Sequence, residues 1–521
     1  MNRMSWSGAL AAAVFLAGCT AAGPDVGESA APEGGGSAEA VESEAGPSAA
    51  ESASTEPDLP GGVVVERLVD EVMVTAQVGP LVTDGDLALL EVAVSHDLSE
   101  QVDLGATFSN LYNAANVSPT GALVLDGGEV LHLVRDGEGV PVVAPWGLVR
   151  VPAGETTSFW SLVPAPGEDS GSVDVLVREL GLVTDVPVVR QEALVLPEEM
   201  ELEGALQAEV TTMDVYAEDV QGASSTRVVE SVETVSLASE VLFAPESAEL
   251  NSDAQGVLER TAAQVQQAGA SEVSVVGHTD DVGTDSYNDD LSLRRAQAVA
   301  QALTPLLPQV AMTVEGRGKR EPVAEGTSDE ARAANRRVEV SFEGEDASAT
   351  STEVEAGVPT ELPEPAEGVY VGSADEGVST EKSEDLTVTA QVMRHERFLE
   401  AQLTFTNEGT EEIVILGVLS RGAAGREERG LGLLARTADA HALTILTPQT
   451  VYYPLDYVYP FTDGEETVRL IVGERMRNED VSPGASTVFT VLMPDPGTDT
   501  VTLEAPGSFR LLDVPVTEVV D

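Results

Sequence analysis

The sequence predicts a multidomain chain in which a central α+β domain, with elements in the order β-α-β-α-β-β, lies between two related all-β sandwiches. Three observations carry this. The 521 residues suffice for three or four domains at roughly 150 each. Stretches rich in Ala, Gly, Ser, Pro and Glu divide the chain. Landmarks in residues 61–197 recur in the same order in residues 368–521, on either side of a segment with helical periodicity.

The charge balance narrows the partners. Lys and Arg total 27 against 90 Asp and Glu, a formal net charge of −63, and only Lys319 and Lys382 are lysines. A phosphate-binding surface needs clustered cations, so nucleic acid is not an expected partner, nor is adsorption to an anionic membrane. Aromatics at 4% are thin for a transmembrane barrel with two aromatic girdles, while 42% hydrophobic residues are enough for folded cores.

The single cysteine rules out an intrachain disulfide and Cys-based metal sites. It ends residues 1–19, which hold one cation, Arg3, and an apolar run from Ala9 to Ala17. The run is too short to span a bilayer and has the proportions of a secretory signal. Leu16-Ala17-Gly18-Cys19 resembles the lipobox of bacterial lipoproteins, which implies cleavage before Cys19 and acylation of its sulfur, an anchor to a membrane outside the cytoplasm.

Residues 20–60 lack Lys and Arg and read as a disordered acidic tether with a reach on the order of 35 Å. Residues 344–367 read as a second linker. Residues 198–235 read as a third acidic linker with some alternation. The repeats lie between these linkers. Val74-Thr75-Ala76-Gln77-Val78 recurs as Val388-Thr389-Ala390-Gln391-Val392. Val151-Pro152-Ala153-Gly154 matches Val481-Ser482-Pro483-Gly484, and Pro164 to Gly167 matches Pro494 to Gly497. Both blocks close on Asp-Val-Pro-Val, at 185–188 and 513–516. Leu399, Ala401, Leu403 and Phe405 alternate with polar residues, the period of a half-buried strand. Turn signals between such runs point to immunoglobulin-like sandwiches at 61–197 and 368–521.

The central domain spans 236–343. Val241-Leu242-Phe243 reads as a strand, followed by a helix capped by Ser252, with Gln255 completing a capping box. Val273 to Val276 is the next strand. A loop from Thr279 to Asp289 precedes a helix capped by Ser292 and ended by Pro305. Val310 to Glu315 and Val338 to Phe342 complete the pattern. This placement puts Arg295 in the first turn of its helix, where the dipole disfavours a cation unless an anion rests beside it. Asp280, ending the preceding strand, either pairs with Arg295 or works with it to hold the two ends of a zwitterion.

Gly277-His278-Thr279-Asp280, Tyr287-Asn288, Leu291-Ser292 and Arg295-Ala296, with Arg320-Glu321-Pro322-Val323 and the closing Asn335-Arg336-Arg337-Val338-Glu339, resemble the OmpA-like peptidoglycan-binding domain. The resemblance implies noncatalytic binding of peptidoglycan at the diaminopimelate of its stem peptide. Asp280 would meet the ammonium and Arg295 the carboxylate. Asn288 and Thr279 would line the loop, and Arg336 would support the site. Arg317 stands where the family usually has an aromatic residue.

None of the five histidines pairs at metal-ligand spacing, and no metal or other cofactor is expected. His278 reads as a packing residue in preference to a contact of the ligand loop. Asp280-Asp281 and Asp289-Asp290 do not follow the spacing of a calcium loop. No nucleophile elbow or triad is evident. The expectation is therefore a lipid-anchored protein of the cell envelope that contacts the wall. The alternative is an adhesin or interaction protein whose β blocks bind a protein or glycan, which exposed tyrosines among Tyr452, Tyr453, Tyr457 and Tyr459 would favour.

Overall fold

The computed structural model describes residues 61–69, 72–105, 122–144, 149–198, 200, 202, 204–344, 361–380, 383–415, 418–419, 440–461, 468–473 and 480–519. The signal-like segment, Cys19, the tether and most of the 344–367 linker lie outside them.

Alternation decides residues 210–238. The sequence reads 198–235 as an acidic linker, but four strands form there and just beyond: β1 (Val210–Thr212), β2 (Val215–Asp219), β3 (Ser224–Val229) and β4 (Val232–Ala238). Val228, Val235 and Leu237 turn inward, and Glu233 lies on the same face of its strand, where burial pushes its carboxyl up to about 7. The strand ends at Ala238, so Val241-Leu242-Phe243 belongs to a short helix, α1 (Ser239–Leu242), and the turn that follows it. Next come α2 (Ala254–Gln267), β5 (Glu272–His278), α3 (Asp285–Leu303), β6 (Ala311–Gly318), α4 (Asp329–Asn335) and β7 (Arg337–Glu343). The sheet order is β6-β5-β7-β4-β3-β2, with β5 and β6 parallel and the other neighbours antiparallel. One face packs Val235, Leu237, Val273, Val275, Val338 and Val340 against Val257, Leu258 and Val265 of α2 and Ala296, Val299 and Leu303 of α3.

Two caps differ from expectation. The start of α2 is held by Asn251, whose Oδ1 accepts the N–H groups of Asp253 and Ala254 at 2.9 and 3.0 Å, and not by Ser252. The start of α3 is Thr284, whose Oγ1 accepts the Tyr287 N–H. Ser292 is fully buried inside the helix, its Oγ accepting the Gly318 N–H at 3.0 Å. Arg295 therefore lies roughly three turns along α3 and not at its start.

Glycine lets α3 approach the sheet. A Cβ at Gly277 would run into the Ser292 carbonyl, one at Gly316 into the Leu293 backbone, and Gly318 sits at φ +55° beside Asp289. The β5–β6 end of the sheet meets the helix backbone without an intervening side chain.

The two β blocks share a topology, as the duplicated landmarks anticipate. Ser172–Val177 pairs with Gly181–Arg190, and Thr500–Ala505 with Phe509–Glu518, each with a register shift at its start. Opposite the shifts, Asp185 and Asp513 take the left-handed conformation at φ 56° and 53°. Each Asp-Val-Pro-Val then feeds a parallel pairing, Val188 with Leu81 and Val516 with Val392. Each block is all-β around its own core, Phe159 and Leu90 in the first, Phe405 and Phe509 in the second.

The former linker joins the blocks. β1 adds to Glu129–Leu131 of the first block, and β2 adds to Thr450–Tyr452 of the second, so the central sheet runs on into the second block. The edges are equivalent, each being the outer strand of the same hairpin in its block. At the join, Asp214 and Asp456 exchange backbone hydrogen bonds, and their buried carboxylates meet Arg227 and Arg469. A shared apolar cluster places Val130, Leu176 and Leu182 against Phe398, Leu455, Tyr457 and Tyr459. Tyr452, Tyr453, Tyr457 and Tyr459 are all buried, so this run is strand packing and not an exposed patch.

Two substitutions test this architecture. Asp456→Ala leaves the half-buried Arg227 and Arg469 with Asp214 and is expected to cost about 1.5–3 kcal/mol in denaturant unfolding. Gly277→Ala is expected to cost about 2 kcal/mol or more and to lower the midpoint of the α3-containing unit, whereas an alanine at the open Gly256 of α2 stabilises slightly. Equal melts for Gly277→Ala and wild type would contradict the close approach.

Candidate functional site

The end of β5, the first half of α3 and the C-terminus of α4 converge on one corner of the central domain. Thr279 continues β5, its N–H donating to the Gly318 carbonyl at 2.9 Å, and its side chain is buried. That pairing delivers Asp280 to the mouth of the corner with 16% of its side chain exposed. Its Oδ1 accepts the Val282 N–H at 3.1 Å, and its Oδ2 accepts Arg336 Nη1 at 2.9 Å. The second Arg336 nitrogen donates to Glu240. Burial works against the Arg336 charge, but the bonds to Glu240 and Asp280 outweigh it and raise its pKa.

Arg295 reaches the same corner from α3. It is 4% exposed, its Nε donates to the Ser247 carbonyl at 2.9 Å, and its guanidinium lies 5.2 Å from the centre of the Phe243 ring. Among the described residues no carboxylate lies within ion-pair distance of it. Burial lowers its pKa, Tyr287 and Asp280 favour its charge, and Arg336 and Arg294 oppose it. Asp280 thus pairs with Arg336, not with Arg295. The arrangement offers a carboxylate beside a buried guanidinium with spare donors, which suits a ligand carrying an ammonium and a carboxylate on one carbon.

Asn288 is a brace. It is buried, and its Nδ2 donates to the Val282 carbonyl at 3.0 Å, holding the 279–284 loop against α3. Gly283 turns that loop at φ +100°. Arg332 clamps Asp281 at 2.7 Å, and Lys319 meets Asp285 at 3.0 Å. Phe243, Ser247, Glu240 and Arg332 were not singled out from the sequence. The aromatic at the end of 241–243 was the available signal, obscured by reading that segment as a strand. Arg317 faces outward, paired with Glu315 and Glu321.

His278 is buried beneath the site with Nε2 3.4 Å from the Glu339 carboxylate. Burial alone would raise the Glu339 pKa, but His278 and Arg337 overcome this and hold it at about 2.

Asp280, Arg295 and Arg336 lie within the segment that comparison with known proteins matches. The OmpA family profile matches residues 242–336. The putative lipoprotein YfiB of Escherichia coli K12 is 37% identical over 109 residues, 20% of this chain and 68% of that protein. The chain belongs to the OmpA family. The outer-membrane lipoprotein YfiB of Pseudomonas aeruginosa is 34% identical over 20% of the chain and 62% of its own length. The outer membrane porin F of Pseudomonas fluorescens is 45% identical over 15% of the chain, but only 24% of the porin is spanned. Among solved structures, the cell wall anchor of the T6SS from Pseudomonas aeruginosa aligns at 34% identity over 24% of the chain and 89% of that structure, with a TM-score of 0.22. The peptidoglycan-associated lipoprotein from Burkholderia pseudomallei aligns at 31% identity over 20% and 88%, with a TM-score of 0.18. In this OmpA-family chain the family match leaves out both β blocks, the strands β1 to β4 and the strand β7.

The depressed Glu339 carboxyl sets a sign. Its contribution to stability is complete above the ordinary pKa near 4.5 and is lost as pH falls toward 2. Chemical melts of wild type and Glu339→Gln are expected to differ most above pH 5 and to converge near pH 2. A difference that grows on acidification would contradict the assignment.

Proposed function

We propose that this OmpA-family protein is a noncatalytic lipoprotein of the cell envelope that links its membrane to peptidoglycan. Cys19 carries the lipid, and the corner at Asp280 and Arg295 takes the diaminopimelate of a stem peptide. The single observation behind this reading is the buried Arg295 guanidinium without a carboxylate of its own, set beside the carboxylate of Asp280. An unpaired buried charge costs several kcal/mol, which an incoming carboxylate offsets. The ligand's ammonium would join Asp280, drawing it from Arg336, while Glu240 keeps Arg336 neutralised. Thr279 and Asn288 hold the loop in place. Two acyl chains give a stable anchor, while a charge-assisted pocket gives reversible wall contact. The β blocks are read as immunoglobulin-like sandwiches. The adhesin alternative loses its main support with the burial of the four tyrosines.

Sedimentation of the purified protein with diaminopimelate-type peptidoglycan, with lysine-type peptidoglycan as control, tests the reading. Wild type is expected to sediment with the first. Asp280→Ala and Arg295→Ala are each expected to weaken binding by about 30-fold or more, the value of a desolvated charge pair. Equal sedimentation of wild type and both variants would overturn the site.

A further inference from the structure

The face of the central sheet that turns away from α2 and α3 is polar and encloses a cavity of about 620 Å³. The pairing register sets its floor. Glu218, Ser225, Ser236 and Glu339 lie opposite one another across β2, β3, β4 and β7, and Tyr216, Arg227, Thr234 and Ser341 form the next row. Val323, Ala333 and Ala334 make an apolar wall from α4 and the segment before it. The cavity shares Glu240 with the corner described above. The floor strands β2, β3 and β4 precede the residues that the family profile matches.

The charges of the floor are already spent on one another. Arg227 pairs with Asp456 at 3.2 Å and Arg337 with Glu339 at 2.7 Å. Glu218 accepts the hydroxyls of Tyr216 and Tyr453 at 2.9 and 3.0 Å. Glu240 is held by Arg336. A ligand bearing formal charge would have to break one of these pairs, at a cost of several kcal/mol. A neutral ligand would not. Ser225 and Ser236 offer hydroxyls that both donate and accept, while the Thr234 hydroxyl is shared with Ser341 at 3.0 Å. In a chain of net charge −63, a charge-compensated, hydroxyl-lined cavity beside an alanine wall selects for neutral groups that alternate hydroxyls with small apolar faces.

We propose that this cavity binds a neutral N-acetylated amino-sugar oligosaccharide, its hydroxyls on the Ser225–Ser236 row and an acetamido methyl against Ala333 and Ala334. The cavity argument stands without the wall-binding reading, but the source of such a sugar rests on it, since the glycan strand of the wall has this chemistry. Stem peptide at Asp280 and glycan behind the same sheet would then be two contacts with one polymer.

The test titrates the purified protein with the β-1,4-linked tetramer of N-acetylglucosamine by calorimetry, with maltotetraose as a neutral oligosaccharide lacking acetamido groups. Wild type is expected to bind the tetramer at least tenfold more tightly than maltotetraose. Ser236→Trp, which fills the floor, and Ala334→Trp, on the surface of α4, are each expected to weaken it at least tenfold. Asp280→Ala is expected to leave it unchanged while losing peptidoglycan stem-peptide binding. If Ser236→Trp unfolds by circular dichroism, Ala334→Trp decides alone. No binding of the tetramer, equal binding of maltotetraose, or undiminished binding by a folded cavity-filling variant would overturn the proposal. Failure of the Asp280→Ala arm would instead count against the stem-peptide site.

Discussion

The close approach of α3 to the β5–β6 end of the sheet is the constraint on which the candidate site depends. Because Gly277, Gly316 and Gly318 carry no side chains, the helix backbone rests on the sheet, and Ser292 hydrogen-bonds directly to the Gly318 amide. That contact fixes the rotation of α3 and so the direction in which Asn288 and Arg295 project. Asn288 then ties down the 279–284 loop, and the loop sets Asp280. A methyl group at one of these glycines would displace the helix, and every polar contact of the corner with it. The site is thus built by backbone packing first and by charge second.

Electrostatics at the corner is arranged around an imbalance. Arg336 has two carboxylates, Asp280 and Glu240, whereas Arg295 has a carbonyl and an aromatic face. In a chain so rich in acid, a buried arginine left without a carboxylate is a costly exception, and its rigid surroundings keep its own chain from neutralising it. At Asp214, Asp456, Arg227 and Arg469, by contrast, four ions pair with one another and clamp β2 to the second β block. The contrast between a closed quartet and an open arginine is what the proposal of a ligand at Arg295 rests on.

Much of this was legible in the sequence where side-chain pattern alone decides the outcome. The apolar faces of α2 and α3 sit where their spacing put them, and the duplicated landmarks mark equivalent strands, down to the left-handed Asp185 and Asp513. What was not legible depended on partners far away in the chain. Residues 210–238 look like an acidic spacer because the edges that β1 and β2 complete lie in the two β blocks. Ser292 follows a polar stretch and looks like a cap, but its hydroxyl is used by Gly318, a residue no local pattern brings near it. With that cap misplaced, the dipole argument for Arg295 fails, and the proposal that it meets an anion rests instead on burial without a carboxylate. The tyrosines of the second block read as packing more readily than as a patch, and what packs them is distant in the chain: the first block for Tyr457 and Tyr459, Tyr216 of β2 for Tyr453.

The most direct measurement is the Arg295 Nε–H resonance, assigned with the help of Arg295→Lys, followed by NMR during titration with a stem tetrapeptide containing meso-diaminopimelate and with its L-lysine counterpart. The account predicts a saturable shift of that resonance with the diaminopimelate peptide and none with the lysine peptide, whose side chain lacks the second carboxylate. An Arg295 resonance that stays in place throughout the diaminopimelate titration, in a protein that remains folded, would contradict it.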